Sequence, residues 1–531
     1  MELRGALKET CADRPCAQRR IAFLLALVLF AIVLLRHAWL CDDAFITLRT
    51  VRNLLEGFGP VWQPGERVQA YTHPLWMLLL AGGARLLTDL YLTAVVVSLI
   101  LSVAAFAVFL FGLRHDTAAA LLGAALLVSC KSFMDYSTSG LENPLTHFLY
   151  VVFVVIFLRQ AQDAPSLARV SSRRLFVLTL LATLLVCTRH DLVIVVGPPL
   201  GYEIWRARRG WIAVLLGGLP FVAWEIVSLV YYGFPFPNSA YAKLGAGIPL
   251  RESLLHGLSY FVSQAKIDPL TLAVLAAALT AVALVRTPAL VALAVGLGAY
   301  LLYFMGVGGD FMVGRFFSVM VLGSAAILTT ALDRMRGRRW LWCGFPALLI
   351  LGVLVTPRPT LTSNEDYRLQ GPPIDPRGVA DERAVHYDAT GFLRSPEQRR
   401  LGFLPFVLLG QHLAAGRATV TSTVGRLGFF ARPDAIIIDE LGLTDPLIAR
   451  LPKKPGPWRV GHLFRRIPDG YQATREQGRN LISDPEIAEI YRHLDPIVHG
   501  PIWTWTRFVE IWRMNTGAWS PSLAASPGSV L

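Results

Sequence analysis

Residues 21–43 read I-A-F-L-L-A-L-V-L-F-A-I-V-L-L-R-H-A-W-L-C-D-D and decide how this chain is understood. The apolar run Ile21 to Leu40 matches the ~20 residues a membrane-crossing helix needs. It lacks a small-residue cleavage site, because Trp39, Leu40 and Cys41 follow directly, so it reads as a retained first span. Two adjacent carboxylates, Asp42 and Asp43, stand at its lip. Ionisable groups there are costly, which makes them candidates for a site. The next residues, A-F-I-T-L-R-T-V-R-N-L-L-E-G, predict an amphipathic helix along the surface. Ala44, Leu48, Val51 and Leu55 fall on one face, and Phe45, Arg49, Arg52 and Glu56 on another. Gly57 is its expected stop. The bland reading, that Asp43 merely caps this helix, accounts for one carboxylate and leaves the second unexplained.

Composition extends this to the whole chain. Of 531 residues, 54% are hydrophobic and only 16% charged, which indicates a polytopic α-helical membrane protein. Apolar stretches recur near 21–40, 91–113, 117–131, 143–159, 175–188, 192–205, 211–232, 269–286, 288–305, 314–332 and 340–356, about eleven spans. The segment 74–87 is short and is expected to dip in and return. The net charge of +13 does not mark a nucleic-acid binder, because residues from Pro357 onward carry a nearly balanced 21 basic and 18 acidic groups. The surplus lies in the membrane part, where basic loops set orientation. Placing those loops in the cytoplasm makes residues 1–20 a cytoplasmic basic leader, 21–356 a transmembrane domain and 41–73 its first periplasmic loop. Residues 357–531 then form a periplasmic mixed α/β domain, with Ala435 to Ile438 as a buried strand. The six cysteines show no metal-ligand spacing, and a disulfide at Cys11 or Cys16 is not expected in a cytoplasmic leader.

The same orientation gathers Asp42, Asp43, Asp135, Glu142, Arg189, His190, Asp191, Lys243, Asp310 and Arg315 at one membrane face. A transferase using a lipid-phosphate-linked sugar needs such a set. A carboxylate base takes the acceptor proton, and cations receive the charge that grows on the leaving phosphate. Asp42 and Asp43 suit the first role, with Asp42 favoured, and Arg189, Lys243 and Arg315 suit the second. Each has a plainer reading. Arg189-His190-Asp191 is also a helix-breaking cluster with internal pairing, Lys243 a snorkelling lysine, and Asp310 a cap for a helix beginning near Phe311. Glu142 is also a helix-start residue. His73 and His190 lack the further partners of a zinc site. The two aspartates could alternatively hold Mg²⁺ or Mn²⁺. In the tail, Asp439, Asp445 and His462 are weaker glycan-binding candidates.

Several segments carry a resemblance. D-D-A-F-I-T-L-R, W-Q-P-G-E-R-V-Q-A-Y-T-H-P-L-W, S-G-L-E-N-P-L, T-R-H-D, F-P-N-S-A-Y-A-K-L-G (with Asn238) and G-G-D-F-M-V-G-R-F-F resemble the GT-C-type membrane glycosyltransferases. I-D-E-L-G-L-T-D-P-L-I-A-R and G-H-L-F-R-R-I-P-D-G-Y narrow this to the branch containing terminal β-(1→2)-arabinofuranosyltransferases and Gram-negative relatives linked to flagellar motor control. The resemblance implies a bacterial plasma-membrane enzyme with a polyprenyl-phosphate arabinofuranose donor. It also implies transfer at the periplasmic face, with Asp42 and Asp43 as the acid/base pair. T-H-P-L-W stands where T-N-P-L-W is common in the family, so a changed acceptor is expected among periplasmic glycans, lipid-linked sugars and pilin-type proteins. The competing expectation is a non-catalytic assembly factor for a motor or pilus, which needs no carboxylate pair.

Overall fold

The computed structural model describes residues 14–113, 115–163, 170–208, 210–244, 246–335, 339–361, 374–375 and 377–517. Most of the leader with Cys11, and most of the proline-punctuated exit around 362–373, lie outside the described residues. The expectation for a Cys11–Cys16 pair falls on Cys11, outside the described residues.

Each of the eleven apolar stretches is a helix, from Arg14–His37 through Arg339–Val355. Five are long and apolar enough to cross a bilayer alone: Cys16–His37, Leu90–Gly112, Trp211–Tyr232, Pro288–Gly306 and Phe317–Arg334. A sixth crossing is formed if Leu250–Ile267 and Pro269–Val285 count as one span bent by 108°. Thr117–Ser129, Asn143–Arg159 and Pro346–Val355 are apolar but shorter. The bend has a local cause. Asp268 closes the first helix and caps the second, its carboxylate accepting from the Thr271 hydroxyl at 2.6 Å and the Ser132 amide at 2.9 Å, and Pro269 occupies the first helical position. Segment 74–87 is a 14-residue helix, too short to span, as its length predicts.

The helix after the first span runs Asp42–Leu55. Its N-cap is Cys41, which makes no side-chain capping bond, so Asp42 and Asp43 are the first two helical residues and neither is the cap. Two carboxylates there are favoured by the helix dipole. The expectation of a surface helix is corrected. Ala44, Leu48 and Val51 are buried, but so are Phe45 and Arg49 on the opposite face. The tail covers that face. Arg49 donates through Nε to Trp62 O at 2.7 Å and through Nη1 to both Gly428 O and Ala431 O. Arg52 donates to Phe429 O at 2.6 Å. A polar stripe that would face water on an isolated helix is satisfied here by tail carbonyls.

The tail itself is mainly helical. The expected strand is present as Ile436–Asp439, paired in parallel with Ala418–Thr421, and these form a two-stranded sheet. Helices Tyr471–Gln477, Pro485–Val498 and Trp505–Thr516 follow. Their core of Ile438, Leu447, Ile490, Leu494 and Ile497 includes Val68 from the first loop and Phe234 from beyond a membrane helix. Tail and membrane part thus share apolar packing.

If tail docking holds the Asp42–Leu55 helix in place, Arg49→Ala should lower the melting temperature of the detergent-purified protein. Leaving buried carbonyls without donors costs about 1–3 kcal/mol. An unchanged melting temperature would contradict this docking.

Candidate active site

Glu142 precedes helix Asn143–Asp163 and is fully buried, its carboxylate surrounded by three donors. Arg315 reaches it at 3.2 Å, Arg189 at 3.5 Å and His73 Nδ1 at 3.1 Å. Burial alone would raise its pKa, but Arg315, His73 and Arg189 outweigh that and hold it well below the usual carboxylate range. His73 Nε2 lies 2.7 Å from Thr47 Oγ1 on the Asp42–Leu55 helix, which ties the hub to the aspartate pair's own helix. Glu142 is therefore more than a helix-start residue, and His73 binds inside this network.

The two arginines are set by their own neighbours. Arg189 closes helix Ser172–Thr188 and grips Asp191 through Nε at 3.1 Å and a terminal nitrogen at 2.5 Å. The Tyr300 hydroxyl donates to the same Asp191 at 3.0 Å, and the Arg189 guanidinium lies 4.6 Å over the Phe316 ring. Arg315 sits in the turn before helix Phe317–Arg334, 3.8 Å from Asp310. Asp310 accepts from Phe311 N, but the helix begins only at Phe317, so Asp310 is not a helix cap.

Arg189, His190, Asp191, Lys243, Asp310 and Arg315 all line one cavity of about 410 Å³. Its far wall is tail sequence, Trp458 and Val460 to Leu463 without His462. The cations are not equivalent. Arg189 is paired to Asp191 and Glu142, and Arg315 to Glu142 and Asp310. His190 stands 3.5 Å from Glu225. Lys243, on the short helix Asn238–Leu244, has no carboxylate within ion-pair distance among the described residues and is exposed. It holds the charge available to an anion entering the cavity.

The two aspartates differ sharply. Asp42 accepts at Oδ1 from the Arg426 amide at 3.1 Å and from Arg426 Nε at 3.0 Å. Arg426 is held in turn by His386 Nδ1 at 3.1 Å and lies 4.2 Å over the Phe406 ring. Gly425 permits this approach, since a methyl there would collide with the Asp42 carboxylate. Asp43 makes no ion pair or hydrogen bond among the described residues. Burial pushes its pKa up to about 6, against the fields of Lys243 and Arg315. That value suits a group that gains and loses a proton near neutrality.

The remaining candidates lie elsewhere. Asn238 donates to the carbonyls of Gly442 at 2.8 Å and Asp445 at 3.0 Å, locking a tail loop rather than facing the cavity. Asp439 is buried and accepts from the Leu441 and Thr444 amides, and Asp445 from Tyr471 and Arg475, so both carboxylates are engaged in holding the tail's own fold. His462 packs edge-on to Phe311, its pKa lowered to about 4 by burial and then by Arg459. Asp135 belongs to a separate buried network with Lys131, Asp381 and Arg383. Among the described residues no three His, Cys, Asp or Glu side chains gather as a metal-binding group. Sequence reasoning missed Arg426 and His386. The only local signal was an arginine between two glycines, Gly425 and Gly428, in the polar tail.

Asp43 also carries a stability prediction. Its folded pKa is raised, so the folded state binds more protons than the unfolded one between about 3.8 and 6. Its contribution to stability is full below the unfolded value and is lost as pH rises through about 6. At pH 7.5 the ionised carboxylate therefore opposes folding, on the order of 3 kcal/mol at ~1.4 per pKa unit. Asp43→Asn should melt higher than the parent at pH 7.5, with the gain shrinking towards pH 4. Asp42→Asn, which loses its Arg426 ion pair, should not share the gain. Thermal unfolding across that range checks both.

No protein-family model matches the chain. It is 27% identical over 523 residues to the terminal β-(1→2)-arabinofuranosyltransferase of Mycobacterium tuberculosis, covering 82% of both chains. It is 30% identical over 322 residues to the protein of the same name in Corynebacterium glutamicum, covering 52% of this chain and 46% of that one. The crystal structure of ArnT from Cupriavidus metallidurans bound to undecaprenyl phosphate aligns at a TM-score of 0.45 and 13% identity, over 90% of this chain and 88% of that chain. The chain is a helical membrane glycosyltransferase that resembles the terminal β-(1→2)-arabinofuranosyltransferases.

Proposed function

We propose that this protein transfers D-arabinofuranose from a polyprenyl-phosphate donor to an acceptor hydroxyl at the outer face of the bacterial plasma membrane, with Asp43 as the base. The acceptor oxygen attacks the anomeric carbon, the bond from that carbon to the phosphate oxygen breaks, and polyprenyl phosphate leaves with an added negative charge. Asp43 takes the hydroxyl proton. Lys243 supplies the compensating charge, and Arg189 and Arg315 supply fixed N–H groups on the same wall. The observation that carries this reading is a single cavity lined by the three cations, with the half-buried, unpaired Asp43 outside its lining but inside the field of Lys243 and Arg315. The geometry favours Asp43 over Asp42, reversing the sequence-based preference, because Asp42 is already committed to Arg426. Its bonds suit a carboxylate that positions the helix start. The sugar and the lipid donor rest on the similarity to the arabinofuranosyltransferases. A glycan, a lipid-linked sugar and a pilin-type protein are the acceptors to be compared.

The test is transfer from radiolabelled polyprenyl-phosphate arabinose by membranes containing the protein, with each acceptor class supplied. Asp43→Asn should reduce transfer by about 10²–10⁴ at matched expression. Near-normal transfer in that variant would remove Asp43 as the base, and no transfer by the parent with any acceptor would leave the assembly-factor reading. The parent's rate should rise with pH through about 6 as Asp43 ionises, and level off above it.

Lys243→Ala should raise the donor KM more than it lowers kcat. Losing a charge-assisted contact of about 1.5–3 kcal/mol corresponds to roughly ten- to over a hundredfold in kcat/KM. An unchanged donor KM would place the phosphate elsewhere.

A further inference from the structure

Three tryptophans near the C-terminal end of the described chain are exposed: Trp503 by 78%, Trp505 by 82% and Trp512 by 68%. Trp505 and Trp512 are seven residues apart on helix Trp505–Thr516, so they share one face, and Trp503 flanks it with its ring 6.2 Å from Phe508. Side chains this large and apolar are not left in water without a partner.

The opposite face of the helix fixes its height. Arg507 is fully buried and donates to Val230 O at 2.7 Å, Tyr231 O at 2.8 Å and Ile497 O at 3.0 Å. Asn515 donates to Gly233 O at 2.8 Å. Val230 and Tyr231 are near the end of the span Trp211–Tyr232, and Gly233 follows it. That span is the least buried of the five long apolar helices, with only 17% of its apolar window covered by protein and Leu215, Leu219, Val222 and Ile226 exposed. Its 22 residues rise about 33 Å at ~1.5 Å each, close to the thickness of a hydrocarbon core of about 30 Å. The other end of the span carries its own exposed tryptophans, Trp205 and Trp211, beside Arg206 and Arg208. Tryptophans at both ends of one span are what the two membrane–water interfaces select, since the indole ring is apolar but its N–H seeks a partner.

We propose that helix Trp505–Thr516 lies flat in the headgroup region of the bilayer, at the end of Trp211–Tyr232 remote from Arg206, with Trp503, Trp505 and Trp512 set into the lipid. The occupant of this aromatic face is the host membrane. The helix then holds the tail at a constant height over the cavity by two attachments, hydrogen bonds to the span and tryptophans in the interface.

The test places the photo-crosslinker p-benzoylphenylalanine at position 505 or 512 of the full chain, with exposed Arg466 as the control position. Each variant is reconstituted into vesicles of phosphatidylethanolamine and phosphatidylglycerol, irradiated, and analysed by mass spectrometry. Lipid adducts at both tryptophan positions, and none above background at Arg466, are expected. Three results would each overturn the proposal. They are the absence of lipid adduct at 505 and 512, an adduct at only one of them, and crosslinking to a second copy or to added arabinan in place of lipid.

Discussion

A carboxylate without water is tolerable only when donors replace the solvent, and buried Glu142 satisfies that condition with groups from three distant parts of the chain. Arg189 ends one helix, Arg315 precedes another, and His73 leads through Thr47 to the helix that carries the aspartate pair. Removing either arginine would leave a buried charge partly uncompensated, and breaking such pairs commonly costs about 3–5 kcal/mol. The hub therefore dictates where the cavity's two arginines stand before any ligand arrives. It also leaves them largely neutralised, which is why Lys243 stands out as the source of net positive charge.

The two aspartates show how adjacent, chemically identical groups acquire different properties. Both enjoy the favourable end of the same helix. Asp42 turns towards tail residue Arg426 and is stabilised as an anion. Asp43 lacks an ion-pair partner among the described residues, and burial shifts it towards neutrality. When titratable neighbours are pushed apart in this way, their chemical roles separate as well.

The tail is part of the site's construction. Arg426 comes from it, the segment around Trp458 to Leu463 forms one wall of the cavity, and its carbonyls absorb the guanidinium groups of Arg49 and Arg52. This last interaction explains why Arg49, on the polar stripe of that helix, is nonetheless fully buried. Periodicity reports which residues would prefer water. It does not report whether another segment offers hydrogen-bond acceptors that serve as well.

The sequence by itself determined the membrane class, because hydrocarbon demands long apolar runs and excludes charge, and every such run is a helix. It also determined most of the ionisable set, since Arg189, His190, Asp191, Lys243, Asp310 and Arg315 were conspicuous as charges at the ends of apolar spans. Only the tertiary structure decided how those charges pair, that Asn238, Asp439 and Asp445 hold the fold, and that Arg426 faces Asp42 across more than 380 residues of chain. Burial preference is a property of each residue and is written locally. Ion pairing and pKa depend on distances between segments remote in sequence, and those distances exist only once the chain has packed.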